Sequence, residues 1–319
     1  MLYNEAKKQT ILGVTYKALE TIPAEQMTAP DIAAKWKNKK EKIAIMGEVY
    51  EDHNRRTNKL LAERGFRCCI LKGQGLATRF YPEPSLRQSG DIDVWVEGNR
   101  REIVRKLLKG FPVRHIYYHE CKVGFFPHLT TEVHFLPVRM YNPFNSCKLQ
   151  KYFESCKEES MRAKVPGREY CAPEAPFNAV YLMGHILRHA LNGGVGLRHI
   201  WDYYYVLKAL TPAQKKEACK ELTRLGMKGI SQEVMYVLGY LFALPKDEML
   251  ISPNERRGKK LLADILREGN FGMGLDAKER KKRRNKKIHF LRRFPSEVLW
   301  ALPSRLWHHC WRRAFKLTL

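Results

Sequence analysis

Residues 66–96, FRCCILKGQGLATRFYPEPSLRQSGDIDVWV, constrain the fold more than any other stretch of the chain. An apolar run at 66–71 reads as a buried strand, and Leu76 opens a helix after a glycine-bearing turn. A loop broken by prolines follows, and then a second strand. In that strand Asp91, Ile92, Asp93, Val94, Trp95 and Val96 alternate polar and apolar before turning apolar throughout. Positions i and i+2 of a strand share a face, roughly 6.5–7 Å apart. Two carboxylates so placed repel one another. A divalent cation relieves that repulsion, because Mg²⁺ takes oxygen ligands and commonly combines one or two carboxylates with substrate phosphates. Gly90 lets the backbone approach closely just before the pair. A third acid, Glu132, sits on a later apolar run, LTTEVHFLP. The reading is that Asp91, Asp93 and Glu132 hold the metal.

The turn between the first strand and the helix carries Lys72, Gly73, Gln74 and Gly75. Backbone N–H groups at a helix start attract anions, and glycines let a phosphate come near. Lys72 would add a point charge. The turn lacks the glycine spacing and the Lys-Ser/Thr ending of a P-loop, and it is not a dinucleotide fingerprint.

LKGQG, then YPEPSLRQSGDIDVWV, then TEVHFLP resembles the nucleotidyltransferase superfamily, the proteins with a polymerase-beta-like fold. Within it, the chain is similar to the bacterial group described as uncharacterised nucleotidyltransferases. Gly73 matches the first glycine of the superfamily pattern, Asp91 and Asp93 the paired acids, and Glu132 the third acid. The narrower group also shows a Lys-Gly turn, here Lys72, an Arg shortly before the acids, here Arg87, and acid–x–His, here Glu132 and His134. Gln74 stands where Gly or Ser is usual, and Gly73 is further from Asp91 than in minimal members. The resemblance covers residues 60–210.

The resemblance implies an α+β protein: a small mixed nucleotidyltransferase-type sheet with flanking helices, plus a mostly helical C-terminal domain. It implies metal-dependent transfer of a nucleoside monophosphate from an NTP, ATP foremost, to a hydroxyl-bearing acceptor that it does not specify. Mg²⁺ or Mn²⁺ would be held by Asp91, Asp93 and Glu132, in the manner of a two-metal site. The triphosphate would meet Lys72, Gly73, Gln74, Gly75, Arg87 and His134. Arg87 would grip phosphate oxygens, and His134 would orient Glu132 or touch phosphate, against the alternative of a packed strand histidine. Related sequences also share a His-x₃-His and a later Asp in the second domain, here His185, His189 and Asp202. Asp202 reads as a general base for the acceptor hydroxyl, or as the partner of Arg198 four residues earlier. His185 and His189 line a cleft or sit satisfied in the core. They are not a metalloprotease motif, since Ile186 stands where a Glu is needed. Two rival readings use the same fold: a non-catalytic nucleotide- or nucleic-acid-binding protein, and one component of a toxin–antitoxin pair.

The 58 Lys and Arg against 33 Asp and Glu give a net charge of +25, which points to an anionic partner. Ten of the basic residues crowd residues 278–293 against one Glu, so nucleic acid or an anionic membrane surface is the partner this run suggests. The tail 294–319 is amphipathic and broken by Pro295 and Pro303; it lies on a membrane or docks back on the helical domain. The eight cysteines include no Cys-x-x-Cys and read as reduced thiols, with Cys68 and Cys69 on opposite faces of their strand. The N-terminus shows no signal-peptide pattern. The most apolar window, 234–244, is about half a membrane span. The expected location is cytoplasmic, or peripheral at the membrane. The expected division is 1–64, N-terminal helices with Thr28 and Asp31 as caps; 65–147, the core; 148–270, helices closing the cleft; and 271–319, the basic tail. Helices are expected at 5–20, 31–64, 148–162, 174–192, 197–210, 212–225, 229–243 and 254–268. Inside the core, strands are expected at 66–71, 91–96, 113–118, 121–126 and 130–136.

Overall fold

The computed structural model describes residues 1–23, 30–285 and 290–317. Thr28, expected as a cap, and residues 286–289 of the basic run lie outside the described residues. The chain runs α1 (Leu2–Lys8), α2 (Leu12–Leu19), α3 (Pro30–Ala62), β1 (Cys68–Ile70), α4 (Gln74–Phe80), β2 (Ile92–Val96), α5 (Arg100–Leu108), β3 (Val113–Arg114), β4 (Glu120–Phe126) and β5 (Leu129–His134). Among the described residues, helices then follow without further strands: α6 (Pro143–Ser155), α7 (Lys157–Arg162), α8 (Ala175–Leu191), α9 (Leu197–Ala209), α10 (Pro212–Arg224), α11 (Lys228–Phe242), α12 (Glu255–Glu268), α13 (Ala277–Asn285) and α14 (Pro295–Leu317). This is the α+β arrangement expected, with one mixed sheet.

The sheet order is β1-β2-β5-β4-β3. Only β2 and β5 run parallel, and their register sets Asp93 opposite Glu132. The alternation read from the sequence divides the faces of the sheet. Ile92, Val94 and Val96 join Ile103, Val104 and Leu107 of α5 in one core cluster. Trp95 and Leu71 join Phe177 and Tyr181 of α8 in another. Cys68 and Cys69 fall in the two different clusters, as a strand requires. The sheet therefore shares a core with the helical half, and Asp93, two residues before Trp95, points toward that half.

Gly75 is a packing requirement. A Cβ there would lie 2.6 Å from Ile70 Cγ2, so α4 sits on β1 more closely than any side chain permits. Gly75→Ala is expected to destabilise the fold by about 1–3 kcal/mol, the usual penalty of overpacking, as read from the urea midpoint.

Three expectations are corrected. The helix at 5–20 is two helices, because Thr10 takes φ 54° between them. The helix at 148–162 starts earlier, at Pro143, and divides at Cys156. Its start is fixed by the Asn142 side chain, which accepts from the backbone N–H of Phe144 at 2.9 Å and Asn145 at 3.2 Å. The tail is not broken at Pro303: α14 continues through it. Two anchors hold it there. Glu297 accepts from the Tyr141 backbone N–H at 2.6 Å, and Phe315 is buried with the sheet. The tail thus docks on the sheet half as well as on the helical half.

Candidate active-site cleft

The acid cluster stands where β2 and β5 lie side by side. Asp93 is fully buried. Its Oδ1 accepts from His134 Nε2 at 2.9 Å and pairs with Lys72 Nζ at 3.0 Å. Its Oδ2 is buried with no hydrogen-bond partner among the described residues. Glu132 pairs with Lys122 at 2.8 Å and its other oxygen lies 3.9 Å from His134 Nε2. One donor atom from each of Asp93, Glu132 and His134 falls within 4.8 Å of the others. Asp91 precedes β2, lines the cleft, and forms no hydrogen bond or ion pair with any described residue.

These residues fit a divalent cation. Asp93 Oδ2 and the Asp91 carboxylate are acceptors without a protein donor, and a buried acceptor left so costs about 1–3 kcal/mol. The donor set is mostly oxygen, which suits a hard ion. Lys72, expected at phosphate, pairs with Asp93 and also lies 3.1 Å from His185 Nε2. Burial works to lower its pKa, but Asp93, Asp91 and Glu132 outweigh burial and raise it, so it stays charged. His134 shows the same competition: burial opposes its charge, yet Asp93, Glu120 and Glu132 raise its pKa.

Gly73 holds the turn at φ 68°, ψ −134°, a left-handed conformation that favours glycine. Gln74 is buried and its Oε1 has no partner among the described residues.

Arg87 and Asp202 meet each other. Arg87 Nε donates to Oδ1 and Nη2 to Oδ2, both at 2.7 Å, and Tyr81 adds its hydroxyl to Oδ1 at 2.6 Å. The sequence offered Arg198 as the partner of Asp202. Arg198 instead donates to the Gln88 carbonyl at 2.8 Å, because the 84–89 loop brings Arg87 onto α9 first. Arg87 raises its pKa against the pull of burial through Asp202. In Arg198, burial and the Arg87 charge lower it.

Sequence reasoning missed His199, His119, Glu120 and Arg188, which also line the cleft walls. None carries a local signal; each becomes visible only when α8, α9 and β4 close around β2. His185, His189 and His199 cluster, with Nε2 of the first two 3.1 Å apart. His199 Nδ1 accepts from the Gly196 backbone N–H at 3.2 Å. Its proton is therefore on Nε2, which makes it a donor rather than a metal ligand. Burial, then neighbouring Lys72 or its fellow histidines and arginines, pushes the pKa of all three far below 6.5. They stay neutral in the fold and charge only on unfolding. Their contribution is complete above about pH 6.5 and is lost as pH falls below it. Urea midpoints are expected to drop as pH falls below about 6.5, with a shallower slope in His189→Gln.

Over the acids the cleft has a volume of about 360 Å³, at the small end of the roughly 300–1,000 Å³ of small-molecule sites. Fold and site together define an α+β protein with a carboxylate-lined cleft between a mixed sheet and a helical layer. The family model described as uncharacterised nucleotidyltransferase matches residues 1–243, and the chain belongs to that family. Comparison with curated proteins gave no match. Among solved structures, an antigenic nucleotidyltransferase-like protein from Paracoccidioides brasiliensis is similar over 65% of this chain and 94% of its own. The identity is 12% and the TM-score 0.39. No helix among the described residues is long and apolar enough to cross a membrane.

Proposed function

We propose that the protein transfers a nucleoside monophosphate from an NTP, ATP foremost, to a hydroxyl of an acceptor, using Mg²⁺ or Mn²⁺. The observation that carries this is the pair of acceptors without a protein donor, Asp93 Oδ2 and the Asp91 carboxylate, beside Glu132. Asp91, Asp93 and Glu132 would hold the cation, which when bound neutralises charge on the attacking and leaving oxygens. Lys72 and the Gly73–Gln74–Gly75 turn bind the triphosphate, with Lys72 balancing whatever acid charge the cation leaves. His134 fixes Asp93 through Oδ1, and Oδ2 is left without a protein donor among the described residues. Arg87 lies along the wall of the same cleft. Asp202 has its oxygens committed to Arg87 and Tyr81, so its proposed part is to position Arg87, a narrower role than general base. Catalysis is then mainly positioning and charge neutralisation. The setting proposed is cytoplasmic.

The test is incubation with each NTP and Mg²⁺ or Mn²⁺ plus a cell extract as acceptor source, following pyrophosphate and labelled product. Metal-dependent pyrophosphate release is the expected result. NTP binding without release for all four nucleotides, together with tight RNA binding, would replace this reading with the non-catalytic one.

A further inference from the structure

Beside the cleft lies a second pocket, between α14 and the segment after β5. Tyr141 lines both. The second pocket is walled by Tyr118, Met140, Trp300 and Trp307, with Arg139 among them. Two arginines lie by the Tyr141 ring, and a third, Arg188, reaches the backbone of the first. The guanidinium carbons of Arg139 and Arg305 lie 5.7 and 6.0 Å from its ring, and Arg188 donates to the Arg139 carbonyl at 3.4 Å. None of the three forms an ion pair with a described residue. The nearby carboxylate, Glu297, spends both oxygens on the backbone N–H groups of Tyr141 and Asn142. Arg139 gives Nη1 to Ser304 Oγ at 3.1 Å, and its Nε is buried without a partner. Burial and the Arg188 charge push its pKa down to about 9. Clustered, half-desolvated guanidinium groups repel one another unless an anion sits among them. The pocket behind them is apolar and aromatic, and on the same helix Leu299, Leu302 and Leu306 are exposed.

We propose that this pocket binds an amphipathic anion, an acid headgroup on an apolar tail, and presents it to the cleft as the acceptor. The headgroup meets Arg139, Arg188 and Arg305, and the tail lies against Trp300 and Trp307. The acceptor role rests on the transferase reading above; the binding does not. In the transfer, an acceptor hydroxyl oxygen bonds to the α-phosphorus and the bond from that phosphorus to its bridging oxygen breaks. Pyrophosphate leaves with the electron pair, and the hydroxyl proton passes to solvent.

The test is tryptophan fluorescence and calorimetry on the full chain without nucleotide. Probes are monomeric decyl phosphate, uncharged decyl maltoside, and phosphatidylglycerol or phosphatidylcholine vesicles. Decyl phosphate is expected to bind saturably and at least about tenfold more tightly than decyl maltoside. Arg139→Gln is expected to weaken it about tenfold, on the scale of one charged hydrogen bond. Arg305→Gln, at an exposed position that leaves folding alone, is expected to weaken it about threefold by loss of one screened charge. Equal binding of the uncharged probe, or wild-type affinity in both variants, overturns the proposal. So does binding to phosphatidylglycerol vesicles without binding of monomeric decyl phosphate, which would make α14 a membrane-surface contact instead. Because no NTP is present, failure here leaves the transferase reading standing, and failure of transfer leaves the pocket standing.

Discussion

Asp91→Asn is expected to lower nucleotidyl transfer by about 10²–10³-fold while leaving the urea midpoint where it was. The magnitude is that of losing one preorganised electrostatic group at developing charge. The stability half follows from the absence of any hydrogen bond or ion pair to Asp91 among the described residues: its pull on Lys72 is one that Asp93 and Glu132 also exert. Asp93→Asn makes the contrast. It should abolish transfer as well, but it also strips Lys72 and His134 of their anion. Breaking a buried charge pair costs about 3–5 kcal/mol, so this variant loses both properties. Pyrophosphate release and urea unfolding on the two variants together separate chemistry from folding. Normal transfer by Asp91→Asn would remove that residue from the site.

Arg87→Met is expected to cost about 3–5 kcal/mol of folding free energy, among the largest effects of a single change here. Both charged groups are almost completely buried, and two parallel hydrogen bonds join them. Removing the guanidinium strands the Asp202 carboxylate with only Tyr81 for company. The double variant Arg87→Met, Asp202→Leu should recover most of the loss, because two apolar groups of similar size carry no desolvation penalty. Urea unfolding of the four proteins closes the cycle. A single-variant loss below about 1 kcal/mol would show that the pair is not held as described.

The elements around the site were legible because they rest on short-range rules. Alternation from Asp91 to Val96 wrote the strand and its two faces, and the same period put Cys68 and Cys69 in different clusters. Glu132 and His134 were readable by the same two-residue rule on β5. The glycine turn was readable too, though not that Gly75 is also required by the contact with Ile70. The tail was misread because Pro303 argues locally for a break, while Glu297 and Phe315 hold the helix on at both ends.

Partnership was out of reach of such rules. Periodicity can say that a carboxylate at 93 and another at 132 each face inward. It cannot say that β2 and β5 are neighbours in that register, since the choice depends on strand order. Arg87 and Asp202 are 115 positions apart, and the nearer candidate, Arg198, lost to a loop that folds back across α9. His199 and Arg188 look like ordinary helix residues until α8 and α9 close over the sheet. Local pattern carries face and element type because those depend on neighbours a few bonds away. Which charge meets which depends on the packing of surfaces brought together from distant parts of the chain.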